Sequence, residues 1–286
     1  MGAIGLLSNY ADATKRRLKS LLGDPVGLLD ATASRGVENV QAALNKATGK
    51  PYNASNEDAY RKAMEDVAFQ GMFIGPKAKT WNAAMNEKAA QMEAQGVDPR
   101  VIWKETGNWR APDKMWRQEI PDNAATFNND THVGNFLDVS LNHKHLFDAY
   151  PEFRGGPTGL KLIQDKSSNS PGGSYQSGYI TLNGNTDKDL STIMHEIQHA
   201  IQYREGFAKG GNTEGMRGIL SQDPAMQQAY SNDELVNAYR RLAGEAEARA
   251  TQTRIPLTAD ERRFVYPADS YDVPLNKLIV RGLLGQ

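Results

Sequence analysis

The chain has 286 residues, of which 39% are hydrophobic and 23% charged, and 33 Lys and Arg against 34 Asp and Glu give a formal net charge of -1. This composition suits a globular protein with a sizeable core, and over the whole chain it provides no electrostatic footprint for nucleic acid or anionic membrane, so no nucleic-acid partner is expected. Cysteine is absent, which excludes disulfides, thiolate zinc sites and cysteine nucleophiles, and leaves His and carboxylates to hold any metal.

Residues 4–49 read as helical. Leu6, Leu7, Tyr10, Ala13, Leu18, Leu21 and Leu22 fall on one stripe, with Lys15, Arg16, Arg17 and Lys19 mostly off it. Gly23-Asp24-Pro25 ends one helix and starts the next, with Asp24 as N-cap and Pro25 at the first helical position. Two packed amphipathic helices account for this pattern. The compact basic face also fits an arm that docks on a partner or a membrane surface. The apolar stretch Ala3–Leu7 precedes the basic cluster, the reverse of secretory-signal order. No apolar run approaches the roughly 18 residues of a membrane span. A cytoplasmic or particle-enclosed protein is therefore expected. The polar stretch Gly49–Asn56 marks a boundary, giving a helical N-terminal arm over 1–56 and a second domain over 57–286.

Helical patterning resumes at Glu57 and runs to about Gln95, interrupted by Phe73-Ile-Gly-Pro76, and a short helix follows near Val97–Thr106. Trp103, Trp109 and Trp116 lie close together and read as a core edge, and Trp116–Ile120 alternates like a strand. His145–Tyr150 predicts a short helix ended before Pro151. Leu160–Ile163 and Gly178–Asn183 read as strands, with Ser167–Ser174 between them as an exposed loop. The chain is helical again from about Asp233 to Thr253, and Lys277–Arg281 reads as a strand.

The chemistry concentrates in Ser191–Tyr203, which carries His195-Glu196-Ile197-Gln198-His199. In a helix the two histidines sit one turn apart on one face, a spacing that can hold zinc, and Glu196 stands beside the first. Leu190, Ile193, Met194, Ile197 and Ile201 form an apolar stripe, with His195, His199 and Gln202 nearly opposite it. Tyr179–Leu182 precedes this helix and is expected to be an edge strand able to pair with an extended peptide. Hydrolytic zinc needs three protein ligands and an open position for water. His132, His143 and His145 all precede the motif, so a carboxylate from the later helix is the natural third ligand. About 200° of helix separates Glu245 from Glu247, so only one of them is expected to face the metal; Glu245 is favoured, with Glu247 as the alternative. Glu196 is then the general base towards a zinc-activated water, and Tyr203, Arg249 and Tyr271 are candidates for oxyanion support.

Ser191–Asn212 and Ala243-Gly-Glu-Ala-Glu-Ala-Arg249, with Trp103–Gly107, Trp116–Asp122, His145–Pro151 and Ser270–Pro274, resemble the zincin-like domains of bacteriophage large polyvalent proteins. The resemblance covers roughly Gly71 to the C-terminus and leaves residues 1–70 outside it. It implies an α+β, zincin-like fold: a small mixed sheet with a His-Glu-x-x-His helix and a glutamate-ligand helix. It implies a gluzincin-type zinc metallopeptidase acting on a protein or peptide substrate, with zinc on His195, His199 and a glutamate, and Glu196 catalytic. Thermolysin-like and ImmA/IrrE-like zincins place a polar side chain, Asp or Asn, four residues after the ligand glutamate. That spacing selects Glu245, with Arg249 as a departure from the pattern. The implied setting is the cytoplasm of an infected bacterium or the virion, with other virion proteins as partners of the N-terminal helices. The competing expectation is a virion structural or ejected docking protein with a non-catalytic zinc site.

Overall fold

The computed structural model describes residues 71–122, 125–127, 135–165, 167, 172–183, 190–220, 231–255, 257 and 259–280. The expected arm over 1–56 and His132 lie outside these residues. The chain divides into two units, residues 1–69 with 257–264, and residues 70–256 with 265–286. Of the first, the description covers Leu257 and a short helix, Ala259–Phe264. The second unit is an α+β arrangement of small sheets and helices.

This second unit begins with β1 (Met72–Ile74), α1 (Ala83–Ala94), α2 (Pro99–Thr106), β2 (Trp109–Arg110) and β3 (Trp116–Ile120). The three strands form an antiparallel sheet in the order β1-β3-β2. Phe73–Pro76 is thus not a break within one long helix. Met72–Ile74 pairs with Ile120–Gln118 as a strand, and the helix begins only at Ala83. Alternation along β1 splits its side chains between two cores. Met72 and Ile74 enter the main apolar cluster, while Phe73 packs with Trp103 and Trp109 in an aromatic one.

Next come β4 (Thr126–Phe127), α3 (Leu137–Ser140), β5 (Leu141–Asn142), which pairs antiparallel with β4, and α4 (Lys144–Ala149). A three-stranded sheet is then built from β6 (Lys161–Asp165), β7 (Gly172–Gln176) and β8 (Tyr179–Asn183), in the order β6-β8-β7. β8 runs parallel to β6 and antiparallel to β7. Two expectations change here. Tyr179–Leu182 belongs to the central strand, and the edge beside it is β7, whose first three residues lie in the expected Ser167–Ser174 loop. Gly172-Gly173-Ser174 has turn composition, and only the ladder to Thr181–Asn183 makes it a strand.

α5 (Leu190–Glu205) lays its predicted stripe on this sheet. Ile193, Met194, Ile197 and Ile201 are buried with Leu162, Ile180 and Leu182 in the main core. α6 (Thr213–Leu220), α7 (Asn232–Arg240) and α8 (Ala243–Arg254) complete the unit. The single helix expected over Asp233–Thr253 is two. The chain breaks at Arg241-Leu242 because Leu242 bridges Ile279, with the Ile279 amide donating to the Arg241 carbonyl at 2.7 Å. The expected terminal strand at Lys277 is reduced, among the described residues, to this one bridge.

His143 shows how burial governs one titrating group in this core. It sits at the N-terminus of α4, where its Nδ1 accepts the Leu146 amide at 3.2 Å. Its Nε2 has no hydrogen-bond partner among the described residues. Burial, with His145 adding to it, pushes the pKa from 6.5 down to about 3. Between those values the unfolded chain binds a proton that the folded chain refuses, so stability is fully present above pH 6.5 and is lost as the pH falls towards 3. The slope from this one group is about 1.4 kcal/mol per pH unit. His143→Asn keeps a capping acceptor and removes the titration. It is expected to flatten the acid limb of denaturant stability measured from pH 7 to pH 4 relative to the wild-type chain.

Candidate metal centre

α5 carries two kinds of surface. One side is the apolar stripe against the sheet; the other faces α8 and is polar. On that polar side His195 and His199 are one turn apart, and their Nε2 atoms are 3.1 Å from each other. Glu245, in the first turn of α8, reaches both: Oε1 lies 3.3 Å from His199 Nε2 and Oε2 lies 3.5 Å from His195 Nε2. His195, His199 and Glu245 thus offer three ligand atoms within 4.8 Å of one another, a group that could hold a metal ion.

The far side of each ring fixes its protonation. His195 Nδ1 is 3.0 Å from Gln252 Oε1, and Gln252 turns its amide nitrogen to the carbonyl and hydroxyl oxygens of Ser191. His199 Nδ1 is 2.8 Å from Gln202 Oε1. Amide oxygens accept, so each Nδ1 bears the hydrogen and each Nε2 of a neutral ring presents its lone pair to the triad. The carboxylate is held as firmly. Glu245 Oε1 accepts the Gly211 amide at 2.9 Å and Oε2 accepts the Tyr239 hydroxyl at 2.6 Å. Two lone pairs and a carboxylate then converge on one point, an arrangement that calls for a cation.

The titration behaviour without a metal agrees. Burial opposes a charge on His199, but the hydrogen bond and charge of Glu245 outweigh it and raise the pKa to about 9. Burial likewise opposes ionisation of Glu245, and hydrogen bonds from His195, His199 and Tyr239 hold it well below the ordinary carboxyl range. Glu196 is 4% exposed. Burial pushes its carboxyl up, the two imidazoles pull it down, and Glu245 adds to the rise. Over it passes β7, where a Cβ on Gly173 would stand 3.0 Å from both Glu196 Cγ and Oε1.

The predicted residues separate into those at the triad and those committed elsewhere. His195, His199, Glu196 and Glu245 are together. Glu247 points elsewhere, to Arg117 at 2.9 Å, so of the two alternatives Glu245 is the one at the triad. Arg249 is committed to Asp272 at 2.8 and 2.9 Å, and Tyr271 packs on Trp109 in the aromatic cluster. Tyr203 is exposed, with the Lys209 ammonium 5.3 Å from its ring. Tyr239 is the hydroxyl that reaches the triad. Its sequence signal is weak, because the break at Arg241-Leu242 is what turns α7 back onto α8. Gln202 is already on the histidine face in the sequence, three residues after His199, and Gln252 has a comparable signal, standing seven residues after Glu245 on the same helical face.

The loop after α5 closes over the site so tightly that residue 210 has no room for a side chain. A Cβ on Gly210 would lie 2.2 Å from Glu245 Oε1 and 2.6 Å from His199 Cε1. Gly210→Ala is expected to weaken divalent-metal binding by roughly tenfold or more in a calorimetric titration, with unchanged helical circular dichroism.

Comparison with known families gives one match. The family model described as large polyvalent protein associated domain 23 matches residues 71–128. That stretch runs from β1 through β4, begins where the resemblance read from the sequence begins, and stops before α5. No curated protein and no solved structure matches the chain. Among the described residues, no helix is long and apolar enough to cross a membrane.

Proposed function

We propose that this chain is a zinc-dependent metallopeptidase of phage type, with a zincin-like catalytic domain in which Glu196 is the general base. The observation that carries the reading is the triad of His195, His199 and Glu245 with both Nδ1–H groups bonded outward, near enough for all three to act electrostatically on the Glu196 carboxylate. The donor set suits zinc. Two imidazoles and a carboxylate about 2.0–2.1 Å from a tetrahedral ion stand about 3.3 Å from one another. Here the two Nε2 atoms are 3.1 Å apart, and Glu245 faces both with one oxygen each, Oε1 at 3.3 Å from His199 and Oε2 at 3.5 Å from His195. When bound, zinc supplies Lewis acidity that lowers the pKa of water towards about 7 and polarises a carbonyl.

The chain's own residues do the rest. Glu196 accepts the proton of the attacking water and returns it to the leaving amine nitrogen. β7, at the sheet edge above Glu196, offers main-chain N–H and C=O groups to an extended peptide, and Gly173 lets that strand approach the carboxylate. Tyr239 and the Gly211 amide hold the Glu245 carboxylate while the substrate is bound. The match to a large polyvalent protein domain supports a phage setting, in the virion or the infected cell, with a protein or peptide substrate. Docking on other virion proteins is assigned to the N-terminal arm.

A second reading, a virion or ejected docking protein whose metal only stabilises the fold, is favoured by one observation: Glu196 is 4% exposed beneath β7. The two readings part on Glu196→Gln. Under the first, the variant keeps wild-type zinc content while hydrolysis of a peptide library falls by about 10²–10⁴-fold. A wild-type chain that binds zinc, melts higher with it and cleaves nothing in the library gives the second. His195→Ala or His199→Ala loses the metal under both.

A further inference from the structure

We infer that Arg117 is a positioning residue for the metal centre, acting through Glu247 and Gln202 to keep the Nε2 lone pair of His199 turned towards the metal. The inference rests on the proposed metal site and extends it to a residue on β3. Arg117 is fully buried. Its Nη2 donates to Asp113 Oδ2 at 2.7 Å, its Nε to Glu247 Oε2 at 2.9 Å, and its guanidinium lies over the Phe207 ring. The other oxygen of Glu247, Oε1, accepts from the amide nitrogens of Gln198 and Gln202, each at 3.1 Å. Gln202 Nε2 also donates to the Gly244 carbonyl at 2.9 Å.

The amide nitrogen of Gln202 therefore lies between a carboxylate and a carbonyl, and both can only accept. Its oxygen is left for His199 Nδ1, which must then carry the hydrogen. Glu247 can serve both sides because it has two acceptor oxygens, one for the arginine and one for the glutamines. A glutamine at 247 has one oxygen. Arg117 claims it by charge, which turns the new NH2 towards Gln202. The amide nitrogen of Gln202 then faces that NH2 on one side and the Gly244 carbonyl on the other, so its orientation is no longer fixed by two acceptors. The rotated form, which presents NH2 to His199 and takes the wrong tautomer, becomes populated.

The test uses the full chain, Zn2+ titration by calorimetry, thermal melting, and the NMR signal of the His199 Nδ1–H in zinc-loaded protein. Glu247→Gln is nearly isosteric and is expected to bind Zn2+ roughly 10–100-fold more weakly, with faster solvent exchange of that proton. Arg117→Met/Glu247→Gln frees the amide oxygen for Gln202 and is expected to recover most of the lost affinity, which general loosening of the core would not do. Wild-type affinity in Glu247→Gln overturns the inference. So does a folded double variant that binds no better than the single one. If the double variant does not melt cooperatively, the His199 proton in Glu247→Gln decides: unchanged exchange overturns the inference, faster exchange upholds it. A wild-type chain that binds no Zn2+ instead removes the metal site itself, and that outcome is distinct from all of these.

Discussion

The contact between α5 and α8 is polar where most helix contacts are apolar, and the site depends on how that polarity is satisfied. Gln198, Gln202, Glu245, Glu247 and Thr251 are all buried there. Each unpaired donor or acceptor would cost about 1–3 kcal/mol, so nearly every atom has an assigned neighbour. Direction follows from chemical type. Carboxylates and carbonyls accept, guanidinium donates, and amides do one at each end. With Arg117 at one end and His199 at the other, the amides between them have one consistent orientation. The tautomer of His199 thus follows from a buried ion pair between β3 and α8.

Close approach makes this possible. The buried face of α8 includes Ala243, Gly244, Ala246, Ala248 and Ala250, none larger than alanine. A Cβ on Gly244 would stand 2.3 Å from the Gly210 amide nitrogen, so its absence lets the loop after α5 lie against α8 while Gln202 reaches the Gly244 carbonyl and Glu245 meets both imidazoles. The opposite side of α5 holds the ordinary apolar contact with the sheet, so the helix is fixed by hydrophobic burial and aimed by hydrogen bonds. Gln198 links the two roles. Its amide pairs with both backbone groups of Phe73, at 3.0 and 3.1 Å, and so closes the open edge of β1.

What the sequence discloses is what a single period can encode. The two-sided character of α5 follows from the spacing of its isoleucines against its histidines, and β3, β6 and β8 announce themselves by alternation. Helix pitch leaves room for only one of Glu245 and Glu247 at the site, and it is the four-residue spacing of the resembled family that selects Glu245. The features that escape are made by partners distant in sequence. β1 is three residues long and exists through its pairing with β3. β7 has the composition of a turn, and its Gly173 is explained only by the Glu196 side chain beneath it. Tyr239 meets Glu245 because Ile279, near the far end of the chain, breaks the helix between them. No local pattern in Arg117 distinguishes it from a surface arginine on a strand.

The stretch that matches the large polyvalent protein domain carries none of the three candidate metal ligands, yet it is not separable from the helices that do. It supplies the buried cation Arg117, its partner Asp113, and the backbone of Phe73. Without it, Glu247 would be a buried carboxylate lacking its cation, and Gln198 would lose both of its backbone partners. Without α5 and α8, Arg117 would keep one carboxylate of two, and Phe73 would expose a strand edge. Breaking a buried pair from either side costs about 3–5 kcal/mol, a large fraction of the stability of an ordinary domain. The charge on Arg117 therefore serves folding and site geometry at once: the contact that joins the matched stretch to α8 also orients the amide that His199 depends on.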